Sequence, residues 1–220
     1  MTPWRLLVHG AGSPARNMAV DEALLREVAA PVLRLYAWDV PAVSLGYFQA
    51  AALAPEGRPF IRRYTGGGLV DHARDITYTI VLPRAHPWME LSAPESYCLV
   101  HRGVQAALTA CGIECDLTPA AQAGASEACF QKPVRFDILA AGRKVSGAAQ
   151  RRTREGLLHQ GSILLPNPAR NGDLRRAFAR AFSARLELAL DPGELTPSEM
   201  ARATVLEQDR YATEAWNRMR

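Results

Sequence analysis

The sequence predicts an α+β fold, a mixed or antiparallel sheet flanked by helices. Segments rich in β-branched and aromatic residues fall in neighbouring pairs with few helical stretches between them, whereas a doubly wound parallel sheet would alternate strand and helix. The 220 residues are 48% hydrophobic and 22% charged, the balance of a soluble globular chain, and the length suits one domain over 1–220. No internal repeat interrupts the chain. Pro166-Asn167-Pro168 and Asp191-Pro192-Gly193 read as turns inside that domain.

Residues 4–9 (WRLLVH) read as a strand. Ser13-Pro14 then opens a helix, with serine suited to the cap, proline to the first helical position, and Met18, Leu24, Leu25 and Val28 on one face. Strands follow at 32–38, 42–48 and 60–64, the last closed by Gly66-Gly67-Gly68, and another at 76–82 (ITYTIVL). An amphipathic helix is expected over 95–111, with Leu99, Val104, Leu108 and Cys111 inward. Residues 134–140 and 144–151 form a hairpin about Ala141-Gly142, and 157–165 adds a strand. The last fifty residues read as helices at 173–188 and 197–219, the second started by Thr196-Pro197-Ser198-Glu199.

Composition excludes several classes. No apolar run approaches the roughly 18 to 20 residues that span a bilayer, and the N-terminus lacks the layout of a signal peptide, so a cytoplasmic protein is expected. The net charge of +4 favours acidic partners mildly, but no dense basic stripe with aromatics points to nucleic acid. Of the 26 basic residues 24 are arginine, so Lys132 and Lys144 stand out as suited to work that arginine, always charged, cannot do. Cys111 and Cys115 lack a second ligand pair at zinc spacing, and a metal site is not expected. Cys98 and Cys111 read as small core residues, Cys129 as part of a loop-like stretch.

Three stretches bear on chemistry. Gly10-Ala11-Gly12-Ser13-Pro14-Ala15 fits a dinucleotide fingerprint, but Pro14 removes an N–H from the helix start and strands follow strands downstream. A capped helix after a tight turn is the better reading. The second, Arg62-Arg63-Tyr64-Thr65-Gly66-Gly67-Gly68-Leu69-Val70-Asp71-His72, has glycines that let a ligand approach the main chain and arginines that could pair with a phosphate or carboxylate. In the third, Cys129 and Lys144 stand fifteen residues apart across a hairpin, and Ser146-Gly147-Ala148-Ala149 leave space for a ligand chain. An ammonium beside a thiol favours the thiolate, and it also stabilises a carbonyl oxygen that gains charge in acyl transfer.

The second and third stretches together resemble the lipoate–protein ligase/octanoyltransferase family, related to biotin ligases and to the cores of class II aminoacyl-tRNA synthetases. That family shows R-R-x-[ST]-G-G-[GR]-x-V-x-H, then D-[IL] and G-R-K-[VI]-[SAV]-G-[SA]-A, then a histidine–glycine turn before an apolar strand. Residues 13–25 resemble its first helix, and Tyr211-Ala212-Thr213-Glu214-Ala215-Trp216 resembles the C-terminal end of one branch. Ala128-Cys129-Phe130 ahead of the lysine hairpin resembles the cysteine-dependent octanoyltransferases more than the ATP-dependent ligases, which usually carry an accessory domain or chain.

The resemblance implies a biotin/lipoate ligase-like catalytic domain without a C-terminal accessory domain. It implies transfer of octanoate from acyl carrier protein, through a Cys129 thioester steadied by Lys144, to a lysine of a lipoyl-domain protein such as glycine cleavage H protein or a 2-oxoacid dehydrogenase E2. Neither cofactor nor metal is needed on that route, and neither nucleic acid nor membrane is a partner. The alternatives are a lipoate ligase using ATP and magnesium, with or without a second chain, or a non-enzymatic acyl-chain binder. Substrate contacts are implied for Arg63, Thr65, Gly66, Gly67, Gly68, Val70, His72, Gly147, Ala149, His159, Gln160 and Gly161. Gln160 stands where the family commonly has histidine, with His159 one place earlier, and which of the two meets the acyl carbonyl stays open. Ala73 replaces a usual aspartate.

Overall fold

The structure, a computed structural model, describes residues 3–119, 133–164 and 171–220, with backbone alone for 171–174. Cys129, Lys132, the alanine-rich stretch 120–128 and the turn at 166–168 lie outside the described residues. Strand β1 (Trp4–Gly12) leads into helix α1 (Pro14–Arg26), capped by the Ser13 hydroxyl, which accepts from the Arg16 amide. Then come β2 (Val32–Trp38), β3 (Val43–Leu45), β4 (Phe60–Arg62), β5 (Val70–Asp71) and β6 (Asp75–Pro83). Helix α2 (Ala93–Ala110), β7 (Asp116–Leu117), β8 (Ile138–Ala140), β9 (Arg143–Arg152) and β10 (Gly156–Leu164) follow. The chain ends with α3 (Asn171–Leu186), β11 (Leu190–Pro192), α4 (Pro197–Leu206) and α5 (Glu214–Asn217).

Among the described residues, eight strands form one sheet in the order β11-β1-β2-β6-β10-β9-β8-β7, and β4-β3-β5 form a second. Strands β11, β1 and β2 run parallel and the rest of the large sheet is antiparallel, so the expected mixed sheet flanked by helices is the observed architecture. One face of the large sheet packs Leu33, Leu35, Tyr78, Ile80, Leu157 and Ile163 against α2 and α3. The other packs Leu7, Val32, Val81 and Leu158 against Val20, Leu24 and Leu25 of α1 and Ala203 of α4. Burying apolar area on both faces, at about 25 cal/mol per Å², is the main force holding this layered arrangement.

Several expected elements are shorter than their apolar runs suggest. The run 42–48 is a strand only to Leu45, because the chain turns at Gly46, where a Cβ would lie 1.9 Å from the Gly67 carbonyl oxygen. Only glycine permits that approach. Phe48, assigned to the strand by its sequence, lies outside it and is 73% exposed. The run 60–64 ends at Arg62, and the run 134–140 becomes a strand only at Ile138. The turn expected at 191–193 includes strand β11, paired parallel with β1 at the sheet edge. Glycines 10 and 12 stand inside β1, so the helix is capped as expected but follows a strand end and no tight turn. Helix α2 buries Val100, Val104, Ala107 and Leu108, while Leu99, Cys98 and Cys111 are half-buried at its edge.

The helix expected over 197–219 is broken. Past α4, five residues widen into a turn in which the Ala212 amide reaches back to the Glu207 carbonyl. This turn brings Arg210 and Tyr211 onto the fully buried Glu22 of α1, with contacts of 2.6 and 2.7 Å. Beyond it, Trp216 and Asn217 present backbone carbonyls to the Arg62 guanidinium, and Trp216 donates its indole N–H to the Arg62 carbonyl. The C-terminal segment thereby clamps α1 and the small sheet together.

Candidate active site

A narrow pocket of about 430 Å³, counted out into the solvent at its mouth, lies between the two sheets. Its wall combines Tyr36 and Trp38 of β2, Thr77 of β6, Gly147, Ala148 and Ala149 of β9, and Gln160, Gly161 and Ser162 of β10. Ser44 of β3, Val70 of β5, Met18 of α1 and the side chains of Arg63, His72 and Lys144 complete it.

Lys144 reaches this pocket because of an irregularity in the hairpin. Ile138 pairs with Ser146 and Leu139 with Lys144, so one step along β8 spans two along β9 and Val145 is the extra residue. The bulge turns Lys144 onto the face of Gly147, which strict alternation would deny it. A Cβ at Gly147 would sit 2.4 Å from Lys144 Cε and 2.6 Å from Nζ, so glycine there makes room for the lysine head. The ammonium lies 2.6 Å from Asp137 Oδ2, with both side chains buried. Asp137 Oδ1 accepts from the Tyr97 hydroxyl at 2.6 Å, and Oδ2 accepts from the Val134 amide at 2.7 Å. Burial and the adjacent Asp137 charge push the Tyr97 hydroxyl well above its ordinary pKa, so it stays a donor. Phe136, just before the aspartate, has φ 72°, and its carbonyl accepts from His101 Nδ1 at 2.6 Å. A left-handed aromatic residue is costly and persists only where its neighbours hold it.

At another part of the wall, His72 stacks on Trp38 with ring centroids 4.0 Å apart. Its Nδ1 lies 2.7 Å from Asp75 Oδ2 and its Nε2 lies 2.6 Å from Ser44 Oγ. The same aspartate oxygen accepts from Thr77 at 2.9 Å and from Ser162 at 2.5 Å. Arg63 Nη1 donates to Ser44 Oγ at 2.6 Å, and Nη2 donates to the Gly66 and Gly68 carbonyls. Arg62 likewise donates to the Gly46, Tyr47 and Gln49 carbonyls. Of the two arginines, read as partners for a phosphate or carboxylate, Arg62 thus braces the turn after β3 and Arg63 braces the glycine-rich loop. Its curved backbone leaves carbonyls unpaired, and a five-donor guanidinium satisfies several at once.

Between these groups runs a third buried network. Asp21 of α1 accepts from Arg34 at 2.6 Å, Tyr36 at 2.8 Å, Thr79 at 2.8 Å and Gln160 Nε2 at 2.7 Å. The Gln160 amide oxygen accepts from Thr65 at 2.7 Å, so both ends of the amide are engaged by the protein. His159, next to it on the strand, points to the opposite face, where it meets Tyr78, Tyr97, Gln150 and His101. Burial drives its pKa well down, and nearby His101 lowers it further.

Of the residues singled out from sequence, Arg63, Val70, His72, Lys144, Gly147, Ala149, Gln160 and Gly161 share this pocket. Thr65 is buried behind it, and Gly66 and Gly67 line a neighbouring open groove together with Ala148, Ala149, Tyr97 and Phe136. The Gly68 carbonyl is held by Arg63, His159 faces away, and Cys129 lies outside the described residues. The sequence reading did not select Asp137, Ser44, Asp75 or Asp21. Asp137 stood within the quoted D-[IL] motif, and Asp75 stood three residues beyond His72. Ser44 and Asp21 carried no local signal.

Comparison with known proteins agrees with this architecture. The lipoyl protein ligase A/B catalytic domain family matches residues 13–184. Octanoyltransferase LipM of Kyrpidia tusciae is 35% identical in an alignment that covers 99% of each chain. Among solved structures, a lipoate-protein ligase A bound with ATP superposes with TM-score 0.80 at 24% identity, covering 98% of each chain. A chain from the structural analysis of an archaeal lipoylation system, a bi-partite lipoate protein ligase and its E2 lipoyl domain from Thermoplasma acidophilum, superposes with TM-score 0.76 at 22% identity over 99% of this chain and 96% of its own. By sequence and by fold, the chain belongs to the lipoyl protein ligase A/B catalytic domain family.

Proposed function

We propose that this protein is an octanoyltransferase of protein lipoylation, moving octanoate from acyl carrier protein to a lysine of a lipoyl-domain protein without ATP. The observation that carries the reading is the placement of Lys144, pinned by Asp137 over Gly147, in a narrow pocket walled by Met18, Tyr36, Trp38, Val70, Ala148 and Ala149. Its support from relatives is the name octanoyltransferase LipM, borne by proteins that match over nearly their whole length.

The chemistry follows from the groups. Cys129 attacks the carrier thioester and exchanges one thioester for another at little net cost, so no nucleotide is needed to activate the acid. Lys144 hydrogen-bonds the carbonyl oxygen as negative charge develops, a fixed ammonium in a dry site being worth more than one in water. The apolar wall holds the alkyl tail at about 0.8 kcal/mol per buried CH₂, enough for pocket depth to select chain length. The excess of arginine suits acidic carrier and lipoyl domains.

The test is transfer from octanoyl-acyl carrier protein to a lipoyl domain with nucleotides removed. Octanoyl amide on the acceptor lysine is expected. Transfer only from free acid and ATP, with release of pyrophosphate, would assign the chain to the ligases instead.

A further inference from the structure

We infer that His72, oriented by Asp75 and coupled through the Ser44 hydroxyl, is the general base that deprotonates the acceptor amine, an inference that rests on the proposed acyl transfer. An acceptor lysine has an ordinary pKa near 10.4 and arrives as an ammonium, which cannot attack a carbonyl. Lys144 cannot take its proton while paired as an ammonium with Asp137 at 2.6 Å. Among the described residues, His72 is the imidazole lining the same pocket.

Its surroundings fit the task. An ionised Asp75 only accepts, so the 2.7 Å contact assigns the Nδ1 proton to the bond between them and leaves Nε2 as the acceptor. The Ser44 hydroxyl then donates to Nε2 at 2.6 Å while accepting from Arg63 at 2.6 Å, and its inventory leaves one acceptor position for an incoming N–H. Trp38 stacked at 4.0 Å fixes the ring plane, and Thr77 and Ser162 hold the Asp75 oxygen that receives Nδ1–H. A carboxylate at Nδ1 and a hydroxyl at Nε2 is the arrangement that stabilises a transient imidazolium.

The acceptor ammonium gives one proton to Ser44 Oγ as the serine's own proton moves to His72 Nε2, and this proton is afterwards released to solvent. The amine nitrogen forms the new C–N bond, the carbon–sulfur bond of the thioester breaks, and the second amine proton ends on the leaving sulfur.

The experiment compares two acceptors in the full chain, with octanoyl-acyl carrier protein as donor. One is the lysine of a lipoyl domain. The other is hydroxylamine, which is already unprotonated at neutral pH, with its uncatalysed reaction subtracted. His72→Gln should lower transfer to lysine by about 10²-fold or more, the size of a lost general base, and transfer to hydroxylamine by less than about 10-fold. Ser44→Ala, which removes one oxygen, and Asp75→Asn should show the same preference at smaller size. Equal losses with both acceptors in all three variants would overturn the assignment. Mass analysis of Cys129 reports separately on the thioester, so its failure and the failure of the base are read from different signals.

Discussion

The two faces of the large sheet treat buried polar groups in opposite ways. On the face toward α1, carboxylates are cross-braced: Asp21 gathers Arg34, Tyr36, Thr79 and Gln160, and Asp75 gathers His72, Thr77 and Ser162. On the face toward α2, His101 and His159 sit among aromatic rings, and burial pushes His101 down to about 4. Charge persists where several donors or acceptors replace water, and is expelled where they do not. Adjacent residues of β10, His159 and Gln160, fall on different sides of this divide because a strand alternates its faces. The Asp137–Lys144 pair joins the two sides, its aspartate held by Tyr97 of α2 and its lysine turned into the pocket.

The largest effect expected is on the pocket face. Lys144→Met should lower octanoyl transfer by about 10²- to 10³-fold, the value of one donor aimed at a developing oxyanion. It also leaves Asp137 buried without its cation, so Lys144→Met/Asp137→Asn separates lost chemistry from lost fold. Steady-state transfer with the folded fraction measured by circular dichroism decides between them. Gly147→Ala should act in the same direction, since the methyl group takes the space of the lysine head. A fully active Lys144→Met would leave the pair a structural link alone.

The face toward α2 should respond to acid. His101 is neutral in the fold, with a pKa lowered from 6.5 to about 4, so the unfolded chain binds the extra proton in that interval. Its contribution is complete above about pH 6.5 and is lost progressively as pH falls toward 4, about 3 kcal/mol in all. Urea midpoints should fall accordingly between pH 7 and pH 4.5, and His101→Phe should reduce that dependence, leaving the share that buried His159 contributes in the same direction. A flat profile in the unaltered protein would refute the neutral assignment.

The smallest effect sharpens the pocket itself. Ala149→Leu narrows the wall and should shift preference toward shorter acyl donors, by about fourfold for each methylene that no longer fits. Competition between hexanoyl and octanoyl carriers measures the ratio.

Much of this was legible in the chain. The paired apolar runs announced a mixed sheet, and the lysine hairpin and glycine-rich loop marked the two walls of the pocket. Alternation in β10 would also have put Gln160 on the face of Leu158 and His159 opposite. What stayed hidden depends on contacts across the fold. Ser44 meets His72 only when β3 packs beside β5, and Asp21 meets Gln160 only when α1 crosses β10. The bulge at Val145 has no composition signal, yet it decides where Lys144 points. The helical pattern past Leu206 concealed the wide turn that serves Glu22, and β11 is too short and proline-ended to read as a strand.

The most direct measurement is the intact mass of the protein after exposure to octanoyl-acyl carrier protein, with neither acceptor nor ATP. One octanoyl group on Cys129 is expected, removed by hydroxylamine and missing in Cys129→Ala, which should also lose transfer. An unmodified Cys129 together with a fully active Cys129→Ala would contradict the thioester route.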